Sequence, residues 1–340
     1  MASVGTILAQ LFPPEPKWSV DSIPDLTGKV AIVTGGNVGL GKATCKQLLL
    51  KGCTVWLASR SKSKAEAAIA ELKEETGKEP LFLALDLNDL QAVKESAENF
   101  KRRSTALHIL ICNAGVMVPP VEQVTAQGYD LQFGVNALGH FLFIQQLLPI
   151  MKSTSSPVSE TRIVWVSSSV QYYFRGPPVN YDNITDTPSR KKLGTQQLYC
   201  QSKFITVMLA YHLAKVLAED QTSNVICIVL DPGNIKTDLQ RHHSPSTLRS
   251  IMNWMILRPV SSGILSQLFA ATDPEAAHLN GKYLRPWARL GEPHPKTKDE
   301  AEQRKIWDYC MHQENLEMLI MLELIRIGAD LCKIGHNVTV

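Results

Sequence analysis

The sequence predicts an α/β fold: one doubly wound domain, with a mostly parallel sheet flanked by helices. Three observations predict it. Apolar runs and helical patterns alternate at least six times. The apolar runs are continuous rather than alternating, as strands buried on both faces require. A glycine-rich turn joins the first run to the first helical pattern.

Each element has its own signal. After a Pro-rich arm over residues 1–27, Lys29-Val-Ala-Ile-Val33 is a short β-rich run, and the helical pattern behind it extends to Lys51. Thr54-Val-Trp-Leu-Ala58 reads as a second buried strand, followed by a polar Ala/Glu/Lys helix over 63–76. Leu81-Phe-Leu-Ala-Leu85 and a helix over 88–102 come next. Leu107-His-Ile-Leu-Ile111 leads to a long helical pattern over 128–152. Arg162-Ile-Val-Trp-Val166 is the fifth strand, and a helix over 198–218 precedes the sixth, Asn224–Leu230. Strands alternating with helices imply a parallel sheet. The domain is expected over 28–315. Two stretches stand outside the alternation: a polar insertion over 170–197, and a Ser/Leu/Met-rich region over 238–275 expected to be a substrate lid. An apolar tail covers 316–340.

Composition excludes several classes. The 340 residues would allow two domains at ~150 residues each, but no linker or repeat divides them. A net charge of +3 without a dense basic run gives no reason to expect a nucleic-acid partner. Seven scattered cysteines without a CxxC pair suit free thiols in a reducing compartment, and no metal is expected. No segment reaches the roughly 18–20 apolar residues of a membrane span, and the start lacks a basic signal region. A cytoplasmic protein is therefore expected. Asn183-Ile-Thr and Asn337-Val-Thr match the glycosylation pattern as chance matches. The tail, with Met318-Leu-Ile-Met-Leu322, is open to four readings: packing on the body, homo-oligomer formation, peripheral membrane contact, or none of these.

The turn is Thr34-Gly35-Gly36-Asn37-Val38-Gly39-Leu40-Gly41. Glycines permit a tight bend and close approach to a pyrophosphate, and the helix behind it offers unpaired N–H groups. The alternative is a purely structural turn. An NAD site usually carries an acid after the second strand. Here Ser59-Arg60-Ser61-Lys62 follows, so Arg60 suits a 2′-phosphate and NADP(H) is the expected cofactor. Lys62 and Lys64 also read as a solvated loop. Asp86 can bond an adenine amino group or cap a helix. Asn113-Ala114-Gly115 would let backbone pass the adenine ribose.

Tyr199 and Lys203 are four residues apart, on one face of a helix. A cation beside a phenol lowers its pKa, so Tyr199 can exchange a proton with an alcohol or carbonyl oxygen. Ser167-Ser168-Ser169 ends the fifth strand, where a hydroxyl can bond that oxygen. The Asn136 amide can hold a water linking Lys203 to solvent. Its plainer reading is a helix-interior Asn bonded to backbone.

Together these motifs, with Pro232-Gly233-x-x-x-Thr237, resemble a classical-type short-chain dehydrogenase/reductase of Rossmann fold. The subgroup most like it is retinol-dehydrogenase-like and WW-domain-oxidoreductase-like. Asn136-x-x-Gly-His-Phe and the long Ser-to-Tyr loop carry that match, and the arm around Pro14-Glu-Pro-Lys-Trp18 is similar to that of fungal members, some of which act in secondary metabolism. The resemblance implies Tyr199 as proton donor or acceptor and Lys203 as its helper and ribose ligand. It implies Ser168, with Ser167 as rival, as the substrate-orienting hydroxyl, and Asn136 in the proton relay. Gly35, Asn37, Gly39, Leu40, Gly41, Arg60, Asp86, Asn113 and Ala114 would join Tyr199, Lys203, Ile235 and Thr237 around the cofactor. The implied activity is hydride transfer between a nicotinamide and a small-molecule carbonyl or alcohol. Tyr172-Tyr173-Phe174 suggests a bulky, partly apolar substrate, or simply packs the loop. The competing functions are a nucleotide-sensing protein without turnover and an extended-type epimerase or dehydratase.

Overall fold

A computed structural model describes residues 12–236 and 257–313. Eight strands form one sheet. They are β1 Val30–Thr34, β2 Thr54–Ser59, β3 Leu81–Ala84, β4 Ile109–Cys112, β5 Thr161–Val166, β6 Val225–Leu230, β7 Tyr283–Arg285 and β8 Arg289–Gly291. Their order is β3-β2-β1-β4-β5-β6-β7-β8. All pairings are parallel except the last, β7 with β8. The order reverses between β1 and β4, and the crevice beyond the carboxyl ends of such strands is where this architecture takes ligands.

The helices are α1 Gly39–Leu50, α2 Lys62–Thr76, α3 Leu90–Arg103, α4 Leu131–Thr154, α5 Pro188–Leu193, α6 Thr195–Glu219 and α7 Val260–Thr272, with a further helix over 300–313. Side-chain alternation along β1 shows the two layers. Ala31 and Val33 join a core with Leu48, Leu72 and Leu268 from α1, α2 and α7. Ile32 faces the opposite core, with Phe100, Phe141 and Phe204 from α3, α4 and α6. Both faces of the strand are apolar because both are covered.

The described residues sharpen several of these readings. Of the 238–275 region expected to be a substrate lid, only residues 257–275 are described. Val260–Thr272 is a largely buried helix completing the crossover from β6 to β7. Residues 237–256, including Thr237, and the tail beyond 313 lie outside the described residues. Strands β7 and β8 carry too few residues to register as apolar runs. One described helix, α4, is long and apolar enough to cross a membrane. It is mostly buried, and Trp307 packs edge-on against its Phe141 at 4.9 Å. Of the aromatic trio, Tyr172 and Phe174 are buried, Phe174 against Phe204, while Tyr173 is 45% exposed.

The 170–197 insertion is anchored rather than loose. Arg190 is fully buried and bonds Asp130 at 3.2 Å and Asp186 at 2.9 Å. Asp130 in turn caps α4 by accepting the Gln132 and Phe133 N–H groups at 3.0 Å. The N-terminal arm is fastened by Trp18, whose indole donates to Asp273 at 2.7 Å.

Candidate active site

The turn after β1 bends because its glycines take conformations other residues resist. Gly35 and Gly39 have φ of +66° and +52°. A Cβ on Gly41 would run into the Gly35 carbonyl and lie 2.7 Å from Asn113 Nδ2. Helix α1 starts at Gly39, and its N-cap residue Val38 offers no side-chain bond, so the first N–H groups of the helix are unpaired by a capping side chain. Thr34 locks the turn to the Asn113-Ala-Gly segment. Its Oγ1 accepts both the Asn113 and Ala114 N–H at 2.9 Å, and Asn113 Nδ2 donates to its carbonyl at 2.9 Å.

A cavity of about 160 Å3 opens beside this turn, lined by Asn37, Ser59, Arg60, Asp86 and Ala114 among others. Arg60 is exposed at its rim and has no ion-pair partner among the described residues. Lys62, by contrast, begins α2 and lies 3.8 Å from Glu66, as a solvated helix face would. Asp86 is not the cap of α3: Asp89 fills that role, while Asp86 Oδ1 accepts the Asn88 N–H at 3.0 Å.

A second cavity of about 170 Å3 is lined by Leu40, Ser168, Tyr199, Lys203, Ile235 and Leu257, with further apolar walls. Tyr199 and Lys203 stand one turn apart on α6, both buried. The geometry separates the two candidate serines. Ser167 is buried and donates to the Lys203 carbonyl at 2.8 Å. Ser168 is half-buried, accepts the Val170 N–H at 3.3 Å, and is hydrogen-bonded to the Tyr199 side chain.

The electrostatics differ from the simple cation–phenol picture. Burial raises Tyr199 above the ordinary phenol range, and the Ser168 hydroxyl opposes this. Lys203 donates to the Val166 carbonyl at 2.8 Å, and burial lowers it to about 8 against the opposing pull of Asp231. Both groups are pressed toward their neutral forms by the same loss of water.

Asn136 sits in a wide, π-type turn, Gly134–Leu138, inside α4. Its amide does not hang free for a water as expected. Nδ2 donates to the Val116 carbonyl and to Ser202, each at 3.0 Å, and Oδ1 accepts the Val116 N–H at 2.9 Å. Its backbone carbonyl accepts from Thr206 at 3.3 Å. Wide turns loosen the helix ladder, frequently at functional sites.

Sequence reasoning missed two groups. His140 is buried, its Nε2 2.9 Å from Thr34 Oγ1. Burial, then Lys203, pull its pKa down to about 3, so it stays neutral. Only its i+4 spacing from Asn136 signals it. Asp231, buried at the end of β6, is the other. An acid directly abutting an all-apolar strand is the signal that marks it.

A doubly wound sheet with a glycine turn, a Tyr/Lys pair and a serine at the strand ends defines a dinucleotide-dependent oxidoreductase class. The chain belongs to the short-chain dehydrogenase/reductase family. Residues 29–177 match the short chain dehydrogenase family. A short-chain dehydrogenase/reductase of Armillaria gallica is 48% identical over 91% of this chain and 97% of its own length. Human polyprenol dehydrogenase is 33% identical over 89% of this chain and 87% of its own. In structure, the Pseudomonas aeruginosa RhlG/NADP active-site complex superposes with a TM-score of 0.62 at 21% identity, covering 76% of this chain and 95% of that one.

Proposed function

We propose that the protein is an NADP(H)-dependent enzyme interconverting a carbonyl and an alcohol on a bulky, partly apolar small molecule, in secondary metabolism. One observation carries this reading: the Ser168–Tyr199 hydroxyl pair lines a cavity with Lys203, at the strand edge that also holds the glycine turn. The cradle fits a dinucleotide. Its glycines leave room that a Cβ would fill, and the α1 N-terminus is free for a pyrophosphate. Asn37, Ser59, Arg60, Asp86 and Ala114 would hold the adenosine half. Leu40, Ile235, Tyr199 and Lys203 would hold the other. A bound nicotinamide supplies or accepts the hydride.

The chain's own residues manage the oxygen and its proton. The Ser168 and Tyr199 hydroxyls orient the substrate oxygen, and the Tyr199 O–H is the proton that moves. Lys203 stabilises charge beneath it. Asn136 joins the proton relay from the wide turn of α4, where Val116 and Ser202 fix its side chain. Val116, Met117, Val170 and Leu257 make the substrate wall apolar, and Lys203 is the one charged side chain among the described lining residues. A neutral substrate follows. Polyprenols join ketones, aldehydes and quinones in the test panel because one relative is named for them.

The test is purified protein with NADPH or NADP across that panel, followed by nicotinamide absorbance. Turnover of an apolar carbonyl or alcohol is expected. NADPH binding without turnover on any of them would favour the sensing alternative.

Arg60 provides a sharper check. Arg60→Ala should lower kcat/KM with NADPH by ~10- to 100-fold, the worth of a charge-assisted phosphate contact, while NADH values hold. An unchanged NADPH/NADH ratio would remove Arg60 from the phosphate seat.

A further inference from the structure

The stretch between β4 and α4 is clamped on both sides of Met117. Asn136 takes both backbone groups of Val116: its Oδ1 accepts the Val116 N–H at 2.9 Å, and its Nδ2 donates to the Val116 carbonyl at 3.0 Å. Gln132, in the first turn of α4 and 1% exposed, accepts the Val118 N–H on Oε1 at 2.8 Å. Its Nε2 donates to the Thr195 carbonyl at 2.8 Å, and the Thr195 hydroxyl donates to the Pro119 carbonyl at 2.7 Å. Thr195 is the first residue of α6, the helix that carries Tyr199. The loop is thus lashed to both helices of the candidate site.

Val118 has a φ of +52°. A β-branched residue resists that left-handed conformation, and among the described residues no other β-branched side chain adopts it. Such backbone persists where surrounding bonds over-determine it, and it concentrates at functional sites. Val116 and Met117 line the cavity that holds Ser168 and Tyr199, while Val118 stands outside it.

That cavity is about 170 Å3, below the ~300 Å3 at which small-molecule sites usually begin. A bulky substrate enters only if a wall yields. Val116, Val170 and Ile235 in that wall are β-branched and stiff at χ1. Methionine is unbranched, with a polarisable sulfur, so it fits itself to irregular surfaces. Rigid backbone and pliant side chain meet at Met117.

We infer that Met117 is a specificity-determining residue of the substrate cavity: its side chain is the wall that adapts to the apolar body beside the reacting carbonyl, and the Gln132–Val118 and Thr195–Pro119 bonds hold it in place. The inference rests on the oxidoreductase reading above.

The experiment compares cyclohexanone with the bicyclic decalone, each reduced with NADPH, as the ratio of their kcat/KM values. Met117→Ala opens the wall and should raise the decalone-to-cyclohexanone ratio about tenfold, the scale set by methylene-sized changes in an apolar pocket. Met117→Ile keeps the bulk without the pliancy and should lower the ratio several-fold. General damage to the fold would lower both ketones alike and leave the ratio still. A ratio within about twofold of wild type in both variants overturns the proposal. Gln132→Met should move the ratio toward the Met117→Ala value, and a folded variant with the wild-type ratio overturns the clamp. Should that variant not fold, Thr195→Val, which loses only the hydroxyl, carries the same test. A binding readout separates this proposal from the oxidoreductase reading. Methionine methyl groups are labelled for NMR, and the Met117 resonance is identified by its loss in Met117→Ile. Decalone added to the NADP-saturated protein should shift that resonance. A shift without turnover of either ketone counts against the oxidoreductase reading alone. An unmoved resonance overturns the proposal, whether or not turnover is seen.

Discussion

Tyr199→Phe is expected to lower turnover by ~10²- to 10⁴-fold, the usual worth of a positioned acid or base, with dinucleotide affinity near wild type. The substitution removes one oxygen. The ring stays buried on α6 in the same packing, so the fold has no reason to change. What disappears is the bond with the Ser168 side chain and the proton donor facing the cavity. Steady-state rates and NADPH fluorescence titration measure the two effects separately. A rate within a few-fold of wild type would remove Tyr199 from the chemistry. Wild-type alcohol oxidation should also rise with pH into the alkaline range, because burial holds the phenol protonated at neutrality.

The sheet was legible because burial on both faces writes itself as unbroken apolar runs. Strands β1 to β6 appear within two residues of their expected places at either end. Strands β7 and β8 were not, since three residues apiece leave no periodicity. Helix α7 was missed because Ser261, Ser262, Gly263 and Ser266 read as loop residues. In space Ser266 accepts the Ala288 N–H at 3.0 Å, and Gly263 lets the helix approach Leu40 and Ile235. Tertiary contact overrides local propensity there.

At the site, residue identity was legible and side-chain commitment was not. Spacing placed Tyr199 and Lys203 on one helical face. It said nothing of Lys203 donating to Val166, because that partner comes from β5, 37 positions away. Likewise Asn136 was marked as an expensive interior polar residue. The wide turn and the Val116 backbone that justify it are tertiary facts. Motifs name the groups that chemistry needs, and the hydrogen-bond network assigns what each is free to do.

Arg190→Ala is expected to destabilise the fold by ~3–5 kcal/mol, the usual result of stripping one partner from a buried ion pair. The guanidinium is fully buried and spans Asp130, Asp186 and the Gln123 carbonyl. Its loss leaves Asp130 charged and buried at the N-terminus of α4. Burial already raises Asp130, with the Phe133 N–H and Arg190 opposing. Without Arg190 the carboxyl rises further, so protonation relieves the variant more than wild type. The sign follows: the stability gap should be largest near pH ~7 and shrink as pH falls toward ~5. Denaturant melts across that range measure it. Pairing Arg190→Met with Asp130→Asn should recover much of the loss, because no lone charge remains and the amide oxygen can still cap α4. The insertion that Arg190 anchors also carries Val170 of the substrate wall, so the single variant should raise KM for the substrate more than for the nucleotide. A gap that does not vary with pH would show that Arg190 matters for packing volume rather than for the charge of Asp130.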